Sequence, residues 1–378
     1  MKQPFFLLIV LMLSLMSCKN SKEPEVPLLD SKSFSANVDG KETALYTLNS
    51  GNGVYMQVTN FGARVVSLFT PDKNGKYEDI AIGYENIDRY INNSGERFLG
   101  CVVGRYANRI ANGQFDIDDV VYNVPVNNNG QSLHGGIKGF DMVVWDVVKA
   151  TDNELVLSYI SPDGEEGYPG TVSVKMVYKL TPENEFVITY EAETDKPTVI
   201  NLSHHSFFNL KGSGNGTITD HILMLNASST TPVDSVLIPT GEIASVEGTP
   251  FDFREPTVIG ARIDQENDQL KNGYGYDHNW VIDKTTDAVE LVASLLEPAS
   301  GRFMEVWTDQ PGIQFYSGNF FDGKSTDKYG KNINFREALA LETQKFPDSP
   351  NHPNFPSTRL NPGEKYLQTC IYKFGVKE

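Results

Sequence analysis

The feature that most constrains this chain is a pair of neighbouring segments in which apolar residues recur at every second position. Across 171–180, Val172, Val174, Met176, Tyr178 and Leu180 share one side, while Thr171, Ser173, Lys175 and Lys179 share the other. Across 185–193 the same period groups Phe186, Ile188, Tyr190 and Ala192. Successive strand side chains point to opposite faces, so this period predicts two half-buried β-strands and does not fit a helical stripe. Thr181-Pro182-Glu183-Asn184 between them is turn chemistry, and the pair reads as a hairpin. Further strands are predicted at 54–59, 64–69, 154–160, 198–203, 289–296 and 303–308. Glycine at 32 and proline at 20 supply the turns that many short strands need. Hydrophobic residues at 39% and aromatics at 11% suffice for a large core and exclude general disorder. The expectation is an all-β, mostly antiparallel sandwich forming one domain over 34–378, with no fixed-period repeat and no second domain.

The N-terminus reads differently. Lys2 precedes an apolar run from Phe5 to Met16, too short to span a bilayer comfortably and typical of a signal-peptide core. Leu15-Met16-Ser17-Cys18 resembles a bacterial lipobox, although Met16 is an uncommon choice in it. That resemblance implies removal of 1–17, lipidation of Cys18, and a polar tether over 18–33 carrying Pro24 and Pro27. The expected location is the cell envelope, with the domain on the periplasmic or extracellular face of a membrane and the lipid anchor its only membrane contact. Cys101 and Cys370 remain; an oxidising compartment permits a disulfide between them, but buried free thiols are the expectation, and no metal-type spacing is present. The formal charge of −17 comes without any Lys/Arg cluster, which excludes a nucleic-acid partner.

Chemistry-bearing residues concentrate in a few glycine-bent stretches. These are GRYANRI (104–110), SLHGG (132–136), NLSHHSFFNL (201–210), GYDHNW (275–280) and LETQ (341–344), the last running into FPDSPNHP (346–353). Five of the chain's 6 histidines lie there: His134, His204, His205, His278 and His352. His221 lies outside them and is expected at the surface. Histidine suits proton transfer near neutrality. Adjacent strand residues such as His204 and His205 point apart and do not readily share a metal ion. Neither a G-x-S-x-G elbow nor a Cys–His motif is present. Acidic residues are too many to single out a glycosidase pair. By themselves the stretches describe a polar cleft with histidine and carboxylate.

In this order the stretches resemble the aldose 1-epimerase (galactose mutarotase) family. The likeness runs from about Ser35 to the C-terminus and includes TPVDSVLIPTG (231–241), DQPGIQFYSGNF (309–320) and LETQKFPDSPNHPNFPS (341–357). It implies a galactose mutarotase-like β-sandwich, or supersandwich, with a free aldose in an open cleft and no metal or cofactor. It also implies catalytic roles: Glu342 as the base taking the proton of the anomeric hydroxyl O1, and His205 as the acid protonating the ring oxygen O5. An ionised Glu342 and a charged His205 are expected to meet across the pyranose. Asn108, Arg109, His134, Asp277 and Gln314 match sugar-contacting positions. Phe207, Trp145 and Trp280 are candidates for an aromatic face. Two departures stand out: Ser203-His204 where Thr-Asn is common, and Phe207 where tyrosine is common, which bears on preference among sugars. A monomer is expected. The rival readings are a surface carbohydrate-binding lipoprotein, an epimerase of sugar phosphates, and a lyase or glycosidase on a related sandwich.

Overall fold

A computed structural model of the chain describes residues 26–378, so the expected signal segment, Cys18 and the start of the tether lie outside the described residues. The 171–193 hairpin forms as predicted. Val172–Leu180 and Glu185–Thr194 pair antiparallel with Leu180 opposite Phe186, and every apolar residue of the first alternating set is buried. Asn184 closes the turn at φ 60°, a left-handed conformation that asparagine tolerates.

This hairpin sits within a nine-stranded antiparallel sheet. In spatial order its strands are Asp146–Ala150, Glu154–Ser161, Val172–Leu180, Glu185–Thr194, Tyr366–Val376, Arg302–Thr308, Glu290–Leu296, Ile222–Leu225 and Thr257–Val258. A four-stranded sheet (Leu45–Asn49, Tyr55–Thr59, Arg64–Pro71, Tyr77–Asp79) and a five-stranded sheet form the opposing layer. The five are Ala244–Ser245, Ser229–Thr230, Asp277–Val281, Gly312–Tyr316 and Ala340–Gln344. Met176, Tyr178, Ile188 and Tyr372 of the large sheet share one buried cluster with Met56, Val65 and Leu68 of the second and Trp280, Phe315 and Leu341 of the third. One apolar layer between sheets is what a sandwich core requires.

Three local readings differ from expectation. The strand expected at 198–203 is two strands, Thr198–Val199 and Ser203–His205. Between them Asn201 turns the chain, its side chain bonding the Ala107 and Lys345 carbonyls and the Lys345 N–H. His221 is fully buried instead of exposed, because its Nε2 accepts the Leu210 N–H. The end of the expected tether packs onto the domain: Leu29 exchanges backbone hydrogen bonds with the Gln57 amide, and Phe34 is buried. Cys101 and Cys370 are free and buried, as expected. No helix among the described residues is long and apolar enough to cross a membrane.

Candidate active site

The residues singled out in the sequence converge on one cavity of about 220 Å³. Asn108, Arg109, His134, His205, Phe207, Asp277 and Glu342 all line it. They arrive from four pieces of backbone. His205 ends the short strand Ser203–His205, which pairs with Cys101–Val103. Glu342 is the central residue of Ala340–Gln344 and lies opposite Gln314. Asp277 opens Asp277–Val281 opposite Tyr316. Arg109 lies in Arg109–Ile110, paired with Ser132–Leu133.

Asn108 and His134 flank that last pair and are locked to each other. The Asn108 N–H donates to His134 Nδ1 at 3.1 Å, and the His134 N–H donates to the Asn108 carbonyl at 3.0 Å. Both hold left-handed backbone, at φ 64° and 52°. Residues held there cost about 1–3 kcal/mol and persist where the surroundings enforce them, often at functional sites. The glycines after His134 allow this bend: a Cβ on Gly135 (φ 89°) would lie 1.9 Å from the Gly104 carbonyl oxygen.

The central pair is His205 and Glu342. His205 Nε2 lies 3.5 Å from Glu342 Oε1, and both side chains are nearly inaccessible. The two stand side by side, not across a ring as expected. That placement suits a hemiacetal, whose O1 and O5 hang on the same carbon. Glu342 Oε2 and His205 Nδ1 have no hydrogen-bond partner among the described residues. Burial raises the Glu342 carboxyl well above its ordinary range, with Asp277 adding to the rise and Arg109 opposing it. Burial lowers the His205 imidazole to about 4, against a smaller upward pull that includes Asp277. Desolvation therefore opposes the expected ion pair.

Around this pair the cavity wall carries donors and acceptors. Asp277 lies 3.5 Å from Arg109 Nη2 through Oδ2, while its Oδ1 accepts from Gln314 Nε2 at 2.7 Å. Gln314 is thus held behind Asp277 and does not line the cavity. Arg109 is steadied by the Asn108 side-chain oxygen. His134, His205 and Glu342 bring ligating atoms within 4.8 Å of one another, a metal-like grouping. The Asn108 N–H occupies His134 Nδ1, however, so the neutral ring carries its proton on Nε2 and presents a donor there. A trio containing a committed donor fits sugar oxygens better than a cation.

Aromatic placement differs from expectation. Trp145 and Trp280 are core residues, their indole N–H groups donating to the Phe140 and Phe251 carbonyls. Phe207 does line the cavity, 4.8 Å from the His205 ring and 5.7 Å from Tyr316. The main aromatic neighbour missed in the sequence is Phe98, whose ring lies 4.6 Å from His134 and 5.9 Å from His205. Glu96, Leu237, Tyr316 and Phe320 also line the cavity and were not singled out. His278 and His352 lie outside the lining, and His352 pairs with Asp348 at 3.2 Å. His204 points away from His205, as strand alternation requires, into a cage formed by Tyr178 and Phe186 at 5.5 and 5.6 Å.

The chain is similar to known proteins over nearly the whole described region. The family model described as Aldose 1-epimerase matches residues 44–373. Galactose mutarotase of Bos taurus is 41% identical over 321 residues, covering 85% of this chain and 91% of that protein. Aldose 1-epimerase of Escherichia coli (strain K12) is 34% identical over 341 residues, covering 89% and 96%. Among solved structures, an aldose epimerase homologue from C. elegans superposes with a TM-score of 0.82 at 30% identity, covering 89% of this chain and 100% of that one. Galactose 1-epimerase from Lactobacillus acidophilus NCFM gives 0.78 at 28% identity, covering 91% and 97%.

His204 supplies a test of the desolvated interior. Neither ring nitrogen has a partner among the described residues, and burial lowers its pKa to about 3. A histidine neutral when folded and protonated when unfolded takes up its proton only on unfolding. Its stabilising contribution is complete above about pH 6.5 and is lost as pH falls toward 3. His204→Leu is expected to be at least as stable as wild type at pH 7, because an unpartnered polar group leaves an apolar cage. Relative to wild type, the variant should gain about 1.4 kcal/mol per pH unit between pH 6 and 4. Urea unfolding at each pH measures this, and parallel curves would refute it.

Proposed function

The chain belongs to the aldose 1-epimerase family, and on that premise we propose how its cavity interconverts the α and β anomers of a free aldose such as galactose or glucose. The enzyme is an isomerase acting on carbohydrates. The observation that carries the mechanism is the buried His205–Glu342 pair, 3.5 Å apart, with unpartnered atoms on both residues.

Glu342 takes the proton from O1 as His205 gives its proton to O5. The C1–O5 bonding pair stays with O5, and the O1 lone pair completes the aldehyde. The step begins with imidazolium and carboxylate and ends with imidazole and carboxylic acid. The pair holds one proton in both states, so nothing is gained from or lost to solvent. Burial favours the neutral combination, which is the one that coexists with the open chain. The charged neighbours pull both ways: Asp277 draws His205 toward imidazolium and Arg109 draws Glu342 toward carboxylate, while Asp277 also raises Glu342 and Arg64 lowers His205. Rotation about C1–C2 presents the other carbonyl face, and the transfers run backward. Asn108, Arg109, His134 and Asp277 orient the hydroxyls, with Phe98 and Phe207 beside the sugar's C–H surface.

Glu96, Asp277 and Glu342 line the cavity, and among the described residues Arg109 is the one Lys or Arg in that lining. That balance disfavours an anionic sugar phosphate. The matched acid and base likewise disfavour a binder without turnover.

In polarimetry of freshly dissolved α-galactose and α-glucose, Glu342→Gln and His205→Asn should each lower kcat about 10²–10⁴-fold. The double variant should fall little further, because the two residues move one proton as a unit. Wild-type kcat/KM should stay level through pH 6.5 and decline only as pH approaches about 4, where His205 takes a second proton onto the pair. Activity surviving both substitutions would overturn the mechanism.

We also propose that the protein is a lipoprotein of the cell envelope, cleaved before Cys18 and held by acyl chains on it, acting on sugars released outside the cytoplasm. The signal-like run from Phe5 to Met16 and the Leu15–Cys18 tetrad support this. Mass spectrometry of the mature N-terminus should find acylated Cys18. An unmodified Cys18 would refute the anchor.

A further inference from the structure

Leu237 is the most unusual residue lining the cavity. Its φ is 65°, a left-handed conformation that costs a branched side chain about 1–2 kcal/mol and that Gly or Asn would adopt freely. It is only 5% exposed, yet it joins none of the buried hydrophobic clusters among the described residues. It contributes to the wall of the cavity.

The loop that carries it is rigid. Asp234 Oδ1 accepts the N–H groups of Val236 and Ile238 at 2.9 and 3.0 Å, and the Asp234 carbonyl accepts the Leu237 N–H at 3.1 Å. Gln269 clasps the loop's base. Its side chain accepts the Val233 N–H at 2.7 Å and donates to the Val233 carbonyl at 2.8 Å. Gln269 belongs to the helix Asp268–Gly273, which leads through Tyr274–Tyr276 into Asp277. The same element thus sets the position of Leu237 and of the carboxylate opposite Arg109.

From the strain, the place in the cavity lining and the clasp, we infer that Leu237 is a substrate-contacting residue, a fixed apolar wall for the C–H surface of the bound aldose. This rests on the reading of the cavity as an aldose site. A pyranose shows both hydroxyls and C–H edges, and a site of hydrogen-bonding groups alone would leave the latter against water. A wall fixed before binding contributes contact in the ring form and the open chain alike, so it lowers KM without altering kcat.

The test is polarimetric kinetics on α-galactose and α-glucose with Leu237→Gly, Leu237→Asn and Leu237→Met, each checked for cooperative melting. Gly and Asn keep the backbone conformation and remove the wall, and each should raise KM roughly tenfold with kcat within about twofold of wild type. Met should recover most of that loss. If Gly fails to fold, Asn against Met carries the comparison. KM unchanged in a folded Gly or Asn variant of an active enzyme would overturn the role of Leu237 alone, as would a fall in kcat at constant KM. An inactive wild type would overturn the aldose reading itself.

Discussion

A single proton shared by two desolvated side chains is the constraint on which the rest of this structure depends. Water around His205 and Glu342 would screen their neighbours and return each group toward its ordinary pKa, where the imidazole is the stronger base of the two. Inside the protein, burial lowers His205 and raises Glu342, which shifts the shared proton toward the carboxyl. The sandwich provides that dry environment. The strand bearing Glu342 lies over the core shared with the nine-stranded sheet, and the strand bearing His205 is fixed by Cys101–Val103. Residues distant in the chain meet because two layers are closed on one another.

Part of the backbone strain of the described residues gathers around the cavity. Asn108, His134 and Leu237 line it with positive φ, each tied by specific hydrogen bonds. Such conformations would relax in a loosely held loop. Here the strand pair Arg109–Ile110 with Ser132–Leu133, the approach of Gly104 to Gly135, and the Gln269 clasp hold them. Preorganisation of this kind matters for a reaction whose catalytic demand is placing two proton transfers on neighbouring oxygens.

What was legible in the sequence follows from what local chemistry encodes. The alternation at 171–180 and 185–193 named a hairpin and its inward face, since a period of two has one structural meaning. The motifs named His205, Glu342 and their neighbours, because residue types and order persist where chemistry needs them. The tryptophans were misplaced because a buried indole donating to a carbonyl leaves the same letter as one facing a sugar. His221 was misplaced for a similar reason: its partner is the backbone N–H of Leu210, which no side-chain pattern reveals. Phe98 carries no motif of its own. Leu237 lay within a recognised stretch, but a positive φ on leucine has no signature in composition.

His134 shows how one backbone donor can govern the charge logic of the site. Were this imidazole protonated, it would repel the positive charge that His205 must carry while the sugar ring is closed. Burial lowers its pKa well below the usual histidine value, and His205, Arg109 and Arg97 add to the fall. The Asn108 N–H on Nδ1 then selects the tautomer whose proton is on Nε2. His134 can therefore donate a hydrogen bond without a net charge. Two histidines whose rings lie 5.1 Å apart can then do different work, one supplying a fixed donor and the other a mobile proton. A cationic residue in place of His134 would raise the cost of the imidazolium and push the shared proton further onto Glu342, leaving less base for O1.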